Sequence, residues 1–480
     1  MTNVVWFKRD LRWFDHQPLF EAIRSGVPTI CLFVIEPILL GSEHYSNRHW
    51  KFMLECADEL QEELRINGGH LHVLEGEIIP IFEKLKQEYG DLHVLSHMET
   101  GIDLTFQRDR KAVRWCKQNN VTWTEFAQQA VHRGRKNRKD WNTEWDIFMY
   151  TQLNTIDLSK LKFIDCQESL FSDFSVKYEV APEHIDMQRG GRSLGLRYLK
   201  SFLENRNEKY GRHISKPAES RTSCSRLSPY LAWGALSLRE VVQATVIRMQ
   251  ELKYKRNLAN FKSRLHWHCH FIQKLESEPE IEFRNQNPAF DEIRNDLNQE
   301  WLKQWENGQT GIPLADACMR CLNATGYINF RMRAMLVSLW THHLLQPWQP
   351  AADHLSKQFL DFEPGIHFAQ IQMQAGTVGY HTLRTYNPTK QAQEHDPEAK
   401  FIKKWVPELS NIPAHNAIAP WTLTPMEQMM YDFELGKDYP LPICDIEKAG
   451  KIARDTLHEV KNSAAARHFA KKISKVHVNK

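Results

Sequence analysis

A chain of 480 residues, 42% hydrophobic and 25% charged, has the make-up of a globular protein with core to bury, which excludes one small domain, a fibrous repeat and a long disordered chain. The 62 basic and 59 acidic residues leave a formal charge of +3, so overall charge neither demands nor forbids a nucleic-acid partner. No apolar run reaches the ~20 residues that span a bilayer. The start Met1–Trp6 lacks a signal-peptide layout, and the nine cysteines read as reduced thiols, so a cytoplasmic protein without a membrane partner is expected.

In chain order, short apolar runs predict strands at Val4–Phe7, Thr29–Ile35, Leu71–Leu74, His93–Ser96 and Val121–Thr124. Amphipathic patterns predict helices around Leu19–Ser25, Asn47–Ile66, Pro80–Tyr89 and Thr105–Lys117 between them. This alternation is that of a Rossmann-like α/β domain over residues 1–130, a parallel sheet covered by helices. Lys8–Arg12 stands where a GxGxxG turn would follow the first strand, so dinucleotide binding at that turn is unsupported. The basic run His132–Lys139 marks a boundary, and residues 131–185 read as an interdomain linker. Helical patterns then dominate residues 186–480, at Arg192–Arg206, Leu236–Leu252, Leu258–Leu275, Leu314–Leu322 and Arg331–Leu345. The basic tail containing Lys461, Arg467, Lys471, Lys472, Lys475 and Lys480 is expected to be a frayed helix.

Four segments have residue types suited to chemistry. Arg221–Tyr230 sets several hydroxyls beside arginine at a helix start, where free N–H groups favour a phosphate; simple N-capping uses the same residues. Ser263–His270 alternates histidines at 266, 268 and 270, of which only His266 and His270 have the i, i+4 spacing of a metal helix, and no third ligand is evident. Asp361–His367 puts two carboxylates and a histidine in a turn-rich stretch able to hydrogen-bond a heterocycle, or merely to join helices. Cys318 and Cys321 have CxxC spacing inside a helical pattern, which favours two helix cysteines over a metal; no metal site is expected.

The opening from Asn3 to Pro37, with its strand, RDLR turn and later I-E-P, resembles the photolyase/cryptochrome superfamily. So do Gly190-Gly191-Arg192, the stretch Ser225–Glu240, the stretch Trp305–Arg320, Tyr386-Asn387-Pro388, Phe401–Leu409 and Pro420-Trp421, in family order over nearly the whole chain. The resemblance implies an N-terminal antenna-type domain and a helical domain holding FAD. It implies a diphosphate site at Tyr210 and Ser223, Cys224, Ser225, Arg226, Leu227 and Ser228. Arg333 and His268 are implied beside the flavin, Asp361 and Glu363 at its polar ring edge, and His367 facing its N5 atom. Trp267 would line a lesion pocket with Arg264 and Met373. Arg331, Arg384 and Lys390 would contact DNA phosphates, and Trp348 would carry electrons.

Family repair enzymes pass an electron from light-excited reduced flavin to a pyrimidine dimer, which splits and returns it. UV-damaged DNA is therefore the implied partner, and a monomer the implied state. Alternatively, the chain is a cryptochrome-type blue-light photoreceptor without repair activity. Departures from the family's pattern bear on this choice. His367 replaces Asn or Asp, and its charge is expected to change near neutral pH. Arg264 replaces a lesion-contacting Glu, while Phe330 and Ala334 replace Asn and Met. Ile371 and Asn295 interrupt the familiar tryptophan chain, leaving Trp340, Tyr380 and Trp405 as candidates. An antenna chromophore of folate or deazaflavin type would sit near Glu99-Thr100-Gly101, Arg108 and Arg110, at the carboxyl ends of the strands.

Overall fold

A computed structural model describes residues 1–164, 166–181 and 186–478. Lys480 and the linker's residues 165 and 182–185 lie outside the described residues. Five strands, β1 (Thr2–Phe7), β2 (Thr29–Ile35), β3 (Leu71–Glu75), β4 (Leu92–His97) and β5 (Thr122–Phe126), form one parallel sheet in the order β3-β2-β1-β4-β5. Helices Gln17–Ser25, Asn47–Ile66, Ile78–Tyr89 and Asp103–Gln118 cover it. β1 and β2 are buried along their whole length, which is why they read as unbroken apolar runs rather than alternating ones. The strand order reverses at β1, so the turn after it, Lys8–Arg12, opens on the crevice where such sheets bind ligands. This α/β domain is followed by a largely helical domain.

The segment 131–185 is more than a connection, for it contains the helix Trp141–Tyr150. Trp141, Trp145 and Met149 recur at i, i+4 and i+8 and are buried, with both tryptophans edge-on to His266. The basic run docks rather than floats. His132 and Gln273 exchange bonds of 2.7 and 2.9 Å, and the buried Arg138 donates to the His270 carbonyl at 3.0 Å.

The expected frayed tail is likewise corrected. Ala464–His477 is a helix with Ala466, Ile473 and His477 buried, and His477 Nε2 lies 2.6 Å from Glu278 Oε2. Its lysines lie on the outer face, so a high basic content coexists with a docked apolar stripe. The helix expected over Arg331–Leu345 is an α-helix only over Phe330–Ser338; a buried π-turn, Leu339–His343, follows it.

Candidate functional site

The phosphate-type segment lies between two short helices, Ser220–Ser223 and Ser228–Ala232. Arg206 shapes it: its guanidinium donates to the carbonyls of Cys224 and Ser225 and, at 2.7 Å, to that of Tyr198. The Cys224 N–H is taken by the Ser220 carbonyl at 3.1 Å, so an anion would be received by the N–H groups that follow it. Arg226 has a left-handed backbone (φ 60°) that side chains seldom adopt. Its guanidinium donates twice to Gln188 Oε1, at 3.0 and 2.7 Å, and lies 3.7 Å over the Tyr327 ring, while Gln188 Nε2 donates back to the Arg226 carbonyl at 2.9 Å. Arg226 thus braces the loop instead of projecting freely. Ser223 pairs with His213 at 2.8 Å, Cys224 is buried, and Leu227 belongs to the core.

Ser228 ties this segment to the second one, because its hydroxyl bonds Asp361. Asp361 Oδ2 also accepts from Arg333 Nη2 at 2.9 Å, and Arg333 is held by the Ile328 carbonyl at 3.0 Å and by Phe359. Burial raises the Asp361 carboxyl, but Arg333 and Ser228 outweigh it and hold the group below the usual range. Two residues on, Glu363 Oε2 accepts from Arg9 Nη2 at 3.2 Å across the domain seam. Burial pushes the Glu363 carboxyl up to about 7 despite Arg9. Asp361 Oδ1, Glu363 Oε1, Arg9 Nη1 and His268 Nδ1 are buried and have no partner. Orphaned buried donors and acceptors of this kind fit a ring that offers both N–H and C=O groups, as an isoalloxazine does.

His367 is buried and held by its neighbours. Its Nε2 donates to the Ala352 carbonyl at 2.9 Å, and its ring packs edge-on to Phe362 and Phe368. Burial lowers its pKa to about 3, so it stays neutral where the sequence reading had it change charge.

On the helix Arg256–Ser277, Trp267 is 43% exposed, with the Arg264 guanidinium 4.3 Å from its ring centroid. Arg264 also lies near enough to the buried Tyr210 to act on its hydroxyl electrostatically. His268, the next residue, lines a seam cavity together with Arg9, Thr100, Gln128 and Glu363.

Other candidates are not gathered in. Met373 is half-buried, and Arg384 and Lys390 are exposed, Lys390 3.5 Å from Glu447. Arg331 Nη1 donates to Gln391 at 3.4 Å. Trp348 is buried and donates to Asn285 at 2.8 Å, while Asn295 is exposed; Trp340 stacks on Trp305 at 5.5 Å. His266 and His270 flank Trp141 as ring partners, 5.0 and 6.0 Å from it. Among the described residues, Asp10, His16 and His97 form a compact buried grouping. Asp10 Oδ2 already accepts from His16 Nε2 (2.9 Å) and His97 Nδ1 (2.6 Å), and His16 Nδ1 accepts from the Leu19 N–H, which closes the triad without an ion.

The antenna candidates divide. Arg108, buried and paired with Glu36, Glu99 and Asp109, lines a cleft together with Glu99, Trp6, Tyr45, Trp50 and Trp233, whereas Arg110 is exposed. Arg206, Gln188 and Arg9 escaped the sequence reading. Only Arg9 had a signal, the RDLR turn itself.

Comparison with known proteins matches residues 3–148 to the family described as DNA photolyase and residues 261–459 to the FAD binding domain of DNA photolyase. The chain is 25% identical over 472 residues to a deoxyribodipyrimidine photo-lyase of Alkalihalophilus pseudofirmus, covering 94% of this chain and 96% of that one. It is 26% identical over 506 residues to a cryptochrome DASH of Gloeobacter violaceus, covering 98% of each. A solved class III photolyase from Agrobacterium tumefaciens superposes with a TM-score of 0.83 at 24% identity, over 96% of this chain and 98% of the other.

Proposed function

The chain belongs to the photolyase/cryptochrome superfamily and carries its FAD-binding domain, and from that premise we propose that it is a DNA photolyase that splits UV-induced pyrimidine dimers. The carrying observation is Trp267. A large aromatic face stands 43% exposed beneath a guanidinium, and the residue after it lines the cavity shared with Glu363. An unstacked, damaged base pair needs such a face to rest on.

When bound and reduced, the flavin supplies the electron that light drives to the lesion. The chain's residues do the rest. The Ser225–Ser228 backbone receives the diphosphate, Arg333 and Ser228 keep Asp361 ionised as an acceptor at the ring edge, and Trp267 with Arg264 orients the lesion. His367, kept neutral, presents no charge to the ring. Arg331, Arg384 and Lys390 supply phosphate contacts. The cleft at Trp6, Tyr45 and Trp50 is the place for an antenna of folate or deazaflavin type, which absorbance beyond that of the flavin in the purified protein would reveal.

Binding tests the assignment. The holoprotein is expected to bind dimer-containing DNA more tightly than undamaged DNA, with steep salt dependence. Trp267→Ala is expected to lose about 1–3 kcal/mol of lesion binding, and each of Arg331→Ala, Arg384→Ala and Lys390→Ala to lower the salt slope by about one. Equal affinity for damaged and intact DNA would instead favour a photoreceptor without repair activity.

A further inference from the structure

Arg9 belongs to the α/β domain yet makes its bonds in the helical one. Its Nε donates to the Ala232 carbonyl (3.1 Å) and its Nη2 to the Phe362 carbonyl (2.8 Å) and to Glu363 Oε2 (3.2 Å), while its plane lies over Trp233 at 4.7 Å. The side chains of the pair are 11% and 6% exposed. Three of the polar atoms left without a partner, Arg9 Nη1, Glu363 Oε1 and His268 Nδ1, belong to residues lining the one seam cavity.

A carboxylate so deeply buried resists ionisation. Burial is the largest influence on Glu363, Arg9 opposes it and Glu99 reinforces it. His268 is held neutral, at about 4, by burial and by Arg9, and Tyr45, which bonds Arg9, is pushed up to about 12. Arg9 is the cation that opposes protonation of Glu363.

We propose that Arg9 is a positioning residue for the flavin, holding Glu363 ionised so that its free oxygen accepts a hydrogen bond from the ring's imide N–H. The proposal rests on placing Glu363 at the ring edge. It makes the N-terminal domain part of the apparatus that tunes the cofactor, and it gives the ion pair a role beyond clipping two domains together.

The test compares the FAD-loaded wild type with R9Q, R9K, E363Q and R9Q/E363Q. Infrared spectra with 13C-labelled glutamate follow the protonated Glu363 carboxyl as pH is varied, and the flavin midpoint potential is measured alongside. In R9Q the carboxyl band is expected to appear at a pH higher than in wild type by roughly one to three units, and R9K is expected to restore most of the difference. R9Q should move the potential only while Glu363 is present, so R9Q/E363Q should match E363Q.

An unmoved band in R9Q, or potential shifts that simply add, would overturn the proposal and leave Arg9 a domain clip. An E363Q protein whose flavin spectrum and potential equal those of wild type would overturn the ring-edge placement itself. Should R9Q not fold, E99Q reads the same electrostatics with opposite sign: the band should appear at lower pH, and no movement would contradict the account.

Discussion

Two buried polar clusters sit on either side of the domain seam, and they are built on opposite principles. At the carboxyl ends of β1, β2 and β4, Arg108 is surrounded by Glu36, Glu99 and Asp109, Lys8 pairs with Asp109 at 3.1 Å, and Asp10 is shared by His16 and His97. Nearly every charge there is spent on another side chain, and Glu36 Oε1 is the one oxygen of these carboxylates left buried without a partner. At Asp361 and Glu363, just before the helix Pro364–Ala375, each carboxylate uses one oxygen on a cation and keeps the other buried and unpartnered. A closed network holds a structure together, whereas one with orphaned atoms is made for something that arrives. The open pair of carboxylates falls within residues 261–459, the stretch matched to the FAD binding domain.

The comparison breaks most easily at Arg108. Arg108→Ala leaves two buried carboxylates, Glu36 and Glu99, without a cation and is expected to cost about 3–5 kcal/mol of stability, measured by denaturant unfolding; a loss below 1 kcal/mol would mean that the cluster is open after all. Arg206→Ala should leave the fold intact but release the Cys224 and Ser225 carbonyls, weakening FAD retention by about 2 kcal/mol, roughly 30-fold, in a flavin-release titration.

Acid should act on both clusters. His97 and His367 have pKa values lowered to about 3, chiefly by burial. Because they are neutral in the fold and take up protons when unfolded, stability is expected to fall as pH drops below 6.5. The loss approaches about 1.4 kcal/mol per pH unit for each group and stops near pH 3. A melting temperature flat from pH 7 to 5 would contradict this. The smallest effect is expected for His367→Asn: unchanged FAD content, an altered photoreduction rate, and no pH step between 5 and 8 that wild type shows and the variant lacks.

Much of the fold was legible because its signals are local. Unbroken apolar runs mark β1 and β2, and a 3.6-residue period marks Asn47–Ile66, which has the expected bounds. The helix Trp141–Tyr150 was missed although Trp141, Trp145 and Met149 carry the period, because Asn142, Thr143, Glu144 and Asp146 between them resemble the linker around them. The docked tail was hidden by its lysines. In the site, motif positions pointed to Asp361, Arg333 and Ser228, which do converge. The role of Arg206 was not legible, nor, beyond its place in the RDLR turn, was that of Arg9. Arg206 acts on backbone carbonyls, which any residue supplies, and Arg9 meets Glu363 across 354 positions of chain. The charge expected of His367 failed because burial, not residue type, sets its protonation.

The central claim is most directly tested by illuminating the holoprotein, its flavin fully reduced, with oligonucleotides carrying a cyclobutane dimer or a (6-4) photoproduct, alongside dark controls. Light-dependent restoration of one of these lesions is the predicted result. Failure to restore either, in single or double strands, with FAD bound and reduced, would contradict it.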